Sequence, residues 1–163
     1  AEGVLVPRVE TVAQAVKAYE SVKFPPVGKK GCGGFSLLRG VLDVDYFNEN
    51  RLLFLQMESV KGIDNLPQMI EAVKANGIIV GPTDLSIDMG IPFQYTNPLL
   101  IEQIDRVIAT CTEKNISCGI YCDTNEEIKF WRERGMNIIW SGGDIGFITQ
   151  KYNELCSFIN KLN

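Results

Sequence analysis

The feature that most constrains this chain is a repeating alternation. Five short apolar runs recur along it, each followed by a segment with helical spacing: Val4 to Val9, Leu52 to Glu58, Ile78 to Gly81, Ser117 to Cys122, and Asn137 to Trp140. Each run is too short for a helix, is rich in β-branched or aromatic residues, and is bounded by turn residues, so each predicts a strand.

The segments between them carry helix start signals. Thr11 with Gln14 and Thr124 with Glu127 match capping boxes, in which side chains satisfy the unpaired amides of a first turn. Asn97 before Pro98 places an N-cap residue ahead of a proline at the first helical position. Leu100, Ile104, Val107, Ile108 and Cys111 then recur on one helical face, as do Tyr152, Leu155, Cys156 and Ile159 in the last segment. Gly135 fits a helix C-terminal cap. Strand and helix thus alternate five times, which implies an α/β fold of parallel strands covered by helices. Two architectures satisfy this order: an open doubly wound sheet, or part of a (β/α)8 barrel. The longest interruption, Gly28 to Asn50, reads as a glycine-rich loop. Its Gly31, Gly33 and Gly34 do not follow a strand in the dinucleotide-binding arrangement, and no P-loop sequence is present.

Composition narrows the chemistry. The 163 residues are 45% hydrophobic and 22% charged, which suits one folded domain. There is no histidine, so histidine-based triads, His-ligated zinc and an imidazole base cannot be built from this chain alone. The net charge is -4 and no basic cluster exceeds Lys29-Lys30, which argues against nucleic-acid binding. No apolar run approaches the roughly 20 residues of a membrane span and no signal-peptide pattern opens the chain, so a soluble cytoplasmic protein is expected. The five cysteines, an odd number in apolar segments, read as buried reduced thiols. Cys118 and Cys122 lie four apart in a strand, about 13 Å from each other, too far to share one ion.

Candidate chemistry gathers where strands end. Alternation along Leu52 to Glu58 puts Leu52, Phe54, Gln56 and Glu58 on one face and Leu53, Leu55 and Met57 on the other. In a barrel the all-apolar set suits the helix side, leaving Gln56 and Glu58 inward at the C-terminal end, where barrel active sites sit. One strand over, Gly77 to Gly81 breaks into Pro82-Thr83-Asp84-Leu85-Ser86, placing Asp84 at the same rim. Two carboxylates with a neighbouring amide make a hard oxygen site for Mg²⁺ or Mn²⁺. The same spacing equally allows Glu58 to be an early acid of the following helix and Asp84 an N-cap. Arg8 and Glu10 share a strand face. Arg8 has the planar fork to orient a carboxylate, although an ion pair with Glu10 is the simpler expectation. Asp144 follows Gly142-Gly143 at the last strand end, either beside a substrate or within a tight turn.

Taken together, Val6-Pro7-Arg8-Val9-Glu10-Thr11, Pro25-Pro26-Val27-Gly28-Lys29-Lys30-Gly31, Gln56-Met57-Glu58 and Gly81-Pro82-Thr83-Asp84-Leu85-Ser86 resemble the HpcH/HpaI family of metal-dependent aldolases. The likeness extends through Met89-Gly90-Ile91-Pro92 to Gly143-Asp144. It implies a partial (β/α)8 barrel whose five βα units correspond to the fourth through eighth, with residues 1–163 forming one domain. It further implies that Glu58 and Asp84 bind a divalent metal, Mg²⁺ or Mn²⁺, that Gln56 contacts a pyruvate moiety, and that the backbone at Gly81, Pro82 and Thr83 accommodates its carboxylate. Such enzymes reversibly cleave 4-hydroxy-2-oxo acids to pyruvate or a related 2-oxo acid and an aldehyde through a metal-stabilised enolate, and a homo-oligomer is expected.

Two departures stand out. The family's catalytic histidine and a substrate-binding arginine come from strands before the Val6 motif and have no counterpart here, and Lys30 stands where arginine is usual. A full barrel needs about 250 residues, so a fragment, a truncated product, or a barrel completed by another chain is expected. The alternatives carried forward are a non-catalytic assembly or metal-binding module, and a lyase acting on malyl- or citramalyl-CoA-type thioesters.

Overall fold

A computed structural model describes residues 2–33 and 43–162. Its elements run β1 (Gly3–Val6), α1 (Val12–Val22), α2 (Val44–Asn50), β2 (Leu52–Met57), α3 (Val60–Ala72), β3 (Gly77–Val80), α4 (Pro82–Asp88), α5 (Pro98–Glu113), β4 (Ser117–Cys122), α6 (Asn125–Glu133), β5 (Ile138–Ser141) and α7 (Asp144–Asn160). All five predicted strands are present, each within a few residues of its expected bounds.

The strands are parallel and lie side by side in chain order, β1 to β5. A doubly wound sheet requires a reversal of strand order partway along. None occurs here, so the sheet is an arc of a (β/α)8 barrel, with the helices on one side.

The helix side forms the core. Leu53, Leu55, Met57, Ile78, Val80 and Ile120 are fully buried beneath Leu66 and Met69 of α3 and Leu100, Ile104 and Val107 of α5. The opposite face of β2 is more open, Leu52 being exposed and Phe54 and Gln56 half-buried. The alternation read from the sequence therefore has the expected orientation.

Local start and stop signals also act as expected. Thr11 and Thr124 make reciprocal capping boxes with Gln14 and Glu127, and the Asn97 side chain accepts from the Leu99 amide. Gly135 follows α6 with φ of +112°, a backbone shape that costs little only without a Cβ.

Three expectations need correction. The Gly28 to Asn50 interruption contains α2: the Asp43 carboxylate accepts the Asp45 and Tyr46 amides at 2.9 and 3.0 Å and starts a helix there. That helix is held down by buried Phe47, whose ring lies 4.7 Å from that of Phe24, and by buried Asn48, which exchanges hydrogen bonds with the Phe24 backbone at 2.7 and 3.1 Å. Gly34, part of the glycine cluster, lies outside the described residues. The cysteines divide by position: Cys111, Cys118 and Cys122 are buried, Cys156 is half-buried and Cys32 is exposed, because Cys32 lies in the glycine-rich stretch and Cys156 on an uncovered helix. The last segment is helical, but its apolar set is not buried. Tyr152 is 66% exposed and Leu155 54%, because α7 packs no residue into the core.

Among the described residues no helix is long and apolar enough to cross a membrane.

Candidate functional site at the strand ends

The C-terminal ends of β2 and β3 bring four of the candidate residues together. Glu58 follows β2 directly and precedes Ser59, the N-cap of α3, so it stands between the two elements and is not an acid of the helix's first turn. It is only 6% exposed. Gly81, which follows β3 and whose N–H donates to Met57 O at 3.0 Å, supplies the floor beside it. A methyl group at Gly81 would meet Glu58 Oε2 at 2.7 Å and Gln56 Nε2 at 2.8 Å. Both side chains therefore close over the one position in β3's exit that has no side chain of its own.

Pro82, Thr83 and Asp84 form the first turn of α4. Gly81 is its N-cap and offers no side-chain acceptor, while Asp84 sits within that first turn. Asp84 is thus a first-turn acid, not the N-cap. First-turn amides lack intrahelical partners, so the Thr83 and Asp84 N–H groups are available to an anionic group beside Gly81.

The electrostatics follow from this packing. Burial raises the Glu58 carboxyl above the ordinary carboxylate range, and the negative charge of Asp84 pushes the same way. A backbone hydrogen bond from Arg8 and the Arg8 guanidinium pull it back down. A buried carboxylate under the repulsion of a second negative charge would gain from a shared cation. The hard oxygens of Glu58 and Asp84, with the carboxamide oxygen of Gln56, suit Mg²⁺ or Mn²⁺ with coordination left for water or substrate. Among the described residues, no group of three His, Cys, Asp or Glu side chains could hold a metal ion, so a cation here would draw the rest of its shell from such neutral oxygens.

Arg8 has a structural occupation. Its φ is +48°, and its guanidinium reaches Glu10 at 3.4 Å and Asp88 at 3.5 Å. Asp88 also accepts the Val60 amide at 2.9 Å, and Lys61 approaches Glu10 at 3.4 Å. This lattice fastens the exit of β1 to the start of α3 and the end of α4. Within it, a hydrogen bond from Ser59 leads in holding the Glu10 carboxyl below its usual range, and Lys61 adds to it. Asp144 stands at the far edge of the sheet, opening α7, and its carboxylate accepts the Ile145 amide at 2.9 Å. It lies two strands beyond β3, so the structure does not bring it to the Glu58 cluster.

Two contributors were not picked out from sequence. Asp88 lies one helical turn beyond Asp84, a spacing that puts both on one face of α4 and could have flagged it. Tyr95 places its hydroxyl 3.1 Å from Thr83 Oγ1. Its loop is held by Ser86 Oγ, which donates to Thr83 O at 2.7 Å and accepts the Phe93 amide at 3.0 Å. Only the fold reveals that contact.

Known proteins resemble this chain in sequence and fold. The chain is 29% identical over 161 residues to the 5-keto-4-deoxy-D-glucarate aldolase of Citrobacter koseri, covering 96% of this chain and 63% of that protein. The Salmonella paratyphi C enzyme of the same name gives the same identity and coverage. The chain thus spans less than two thirds of the curated relatives it matches. Among solved structures, the HpcH/HpaI aldolase of Desulfitobacterium hafniense superposes with a TM-score of 0.89 at 24% identity, over all of this chain and 65% of that one. Macrophomate synthase superposes at 0.83 with 20% identity, over 99% of this chain and 59% of that one. These likenesses confirm the partial-barrel fold. Residues 1–150 match the profile of the HpcH/HpaI aldolase/citrate lyase family, and the chain belongs to that family.

Proposed function

We propose that the Glu58 cluster is the divalent-metal and 2-oxo-acid site of a class II aldolase, reversibly cleaving 4-hydroxy-2-oxo acids to pyruvate or a related 2-oxo acid and an aldehyde. The observation that carries this reading is the pairing of buried Glu58 with Asp84 over side-chain-free Gly81, at the strand ends where barrel active sites sit. The curated relatives are named as aldolases, which supports carbon-carbon lyase chemistry.

Each residue then has a task. Glu58 and Asp84 would hold the cation, Mg²⁺ or Mn²⁺, through hard oxygens. Gln56 orients the 2-oxo acid, its carboxamide being free to donate or accept. The Thr83 and Asp84 amides bind the substrate carboxylate, and Gly81 leaves room for it. A bound divalent cation supplies Lewis acidity, stabilising negative charge that develops on the 2-oxo oxygen as the C3–C4 bond breaks. No lysine Schiff base is needed on this route. The proton of the C4 hydroxyl leaves to a group other than imidazole of this chain, which holds no histidine.

The test is release of pyruvate from a 4-hydroxy-2-oxo acid, assayed with Mg²⁺ or Mn²⁺ and after chelation. Release that survives chelation, or that is unchanged in Glu58→Ala or Asp84→Ala, refutes the assignment. Cleavage of a malyl-CoA-type thioester in preference to free acids would replace the substrate class while keeping the metal site.

A further inference from the structure

α4 is too short to hold itself in place. It has seven residues, of which Leu85 and Ser86 are buried, and a helix of two turns gains little from its own hydrogen bonds. The chain that follows it does the holding. Gly90, with φ of +72°, reverses the backbone, and the Ile91 amide donates to Ser86 O at 2.9 Å. A four-residue turn comes next, in which the Gln94 amide donates to Ile91 O at 3.2 Å. The segment thereby runs back along α4 towards its first turn.

Two side chains fasten it there. Ser86 is fully buried, and its hydroxyl donates to Thr83 O at 2.7 Å while accepting the Phe93 amide at 3.0 Å. Two residues on, the Tyr95 hydroxyl lies 3.1 Å from Thr83 Oγ1. Thr83 is therefore gripped at both its side chain and its carbonyl. That carbonyl belongs to the planar peptide leading into Asp84, so the grip fixes the plane from which the Asp84 side chain departs. The loop is strained to make these contacts. Phe93 has φ of +62° at the third position of its turn, after Pro92, where a positive φ usually calls for glycine. A bulky residue keeps such a conformation only where its surroundings hold it, and the bond from its amide to Ser86 supplies that hold.

We propose that residues 90–95 form a clamp that holds Asp84 in place for the cation it would share with Glu58, with Tyr95 as the positioning residue, acting through Thr83. This rests on the reading of Glu58 and Asp84 as cation ligands and adds to it a residue from outside the strand ends. The far end of α4 is tied separately, because Asp88 accepts the Val60 amide and pairs with Arg8. Releasing Thr83 therefore loosens the first turn alone.

Calorimetric Mn²⁺ titration of the purified protein tests the clamp, since it reads the site without turnover. Tyr95→Phe keeps the ring and removes the hydroxyl. It is expected to weaken Mn²⁺ binding about three- to tenfold, at or just under the lower end for an outer partner of a metal ligand, because its effect passes through Thr83. Without metal, the melting temperature of the same variant is expected to stay within about 2 °C of the parent, as for an exposed hydroxyl pair. Thr83→Val, which keeps the backbone amide, should give the same loss of affinity, and the two substitutions together no more than either one. Mn²⁺ bound as tightly by Tyr95→Phe as by the parent, or losses that add in the double variant, would overturn the clamp while leaving the cation site standing. A loss of affinity accompanied by a larger fall in the metal-free melting temperature would mark a merely structural contact and overturn it as well. Mn²⁺ binding indifferent to Glu58→Ala would remove the cation site itself, and the clamp with it.

Discussion

Gly81→Ala separates the stability of the barrel arc from the integrity of the site. The added methyl would lie 2.7 Å from Glu58 Oε2, 2.8 Å from Gln56 Nε2 and 3.1 Å from Glu58 Cβ. The first two atoms are the ends of flexible side chains, which can swing away. To regain ordinary contact, Glu58 Oε2 must retreat by about 0.7 Å and Gln56 Nε2 by nearly as much. The Cβ contact demands a smaller shift close to the backbone, so the substitution should cost about 1 to 2 kcal/mol, the lower part of the overpacking range. For a chain of this size that lowers the midpoint by about 3 to 6 °C, leaving the protein folded at room temperature. The effect on the site should be larger, because a displaced ligand or supporting group typically lowers metal affinity by about 10- to 100-fold. Thermal melts without metal measure the first effect, and a calorimetric Mn²⁺ titration measures the second. A folded Gly81→Ala protein that binds Mn²⁺ as tightly as the parent would refute the claim that Gly81 exists to make room for the donor atoms.

Glu58→Gln tests the electrostatics. Because folding raises the Glu58 carboxyl, its contribution to stability is fully present below the ordinary carboxyl value and is lost as pH rises through the raised one. Without divalent cation, Glu58→Gln should therefore melt above the parent near neutral pH, with the difference closing on acidification toward about pH 4, and a pH-independent difference would be contrary evidence. Gly119→Ala should be far more damaging than Gly81→Ala, since its methyl would meet Ile138 O at 2.3 Å and Ile138 Cβ at 2.5 Å. Those atoms belong to β5's own backbone and its root, so a loss upwards of about 3 kcal/mol is expected in chemical denaturation. Asn48→Ala strands the buried Phe24 amide, while the Phe24 carbonyl keeps the Gly28 N–H at 2.9 Å, and should cost about 1 to 3 kcal/mol by the same measurement.

Much of the fold was legible because its signals are local. Leu53, Leu55 and Met57 must all face one way on any strand, and three apolar side chains in that set leave no other place for them than the helix layer. Thr11 and Thr124 cap with atoms three residues away, so their role can be read within one turn. What stayed open was the choice between a doubly wound sheet and a barrel. Each βα unit has the same internal pattern in both, and only the pairing of β2 with β3 together with that of β3 with β4, set by contacts far apart in sequence, distinguishes them. α2 escaped notice for the converse reason. Seven residues are too few for a periodicity, and its anchors are an Asp43 cap and a partner, Phe24, some twenty residues away.

The site shows where such local reading stops. Inward alternation gives the side of the sheet that Gln56 and Glu58 occupy, and strand termini give the level of Asp84, so the cluster's membership follows from period two and from where the runs end. Its chemistry does not. The same Glu58 would be an unremarkable carboxylate if exposed, and it is the combination of burial, a neighbouring Asp84 and a missing side chain at Gly81 that suits the two acids to the proposed cation. α7 makes the same point. Its a/d spacing is plain in the sequence, but such a stripe fits equally a helix laid on its own sheet, and that reading predicts burial. The exposure of Ile145, Ile148 and Tyr152 shows that, among the described residues, this stripe is not packed into the core.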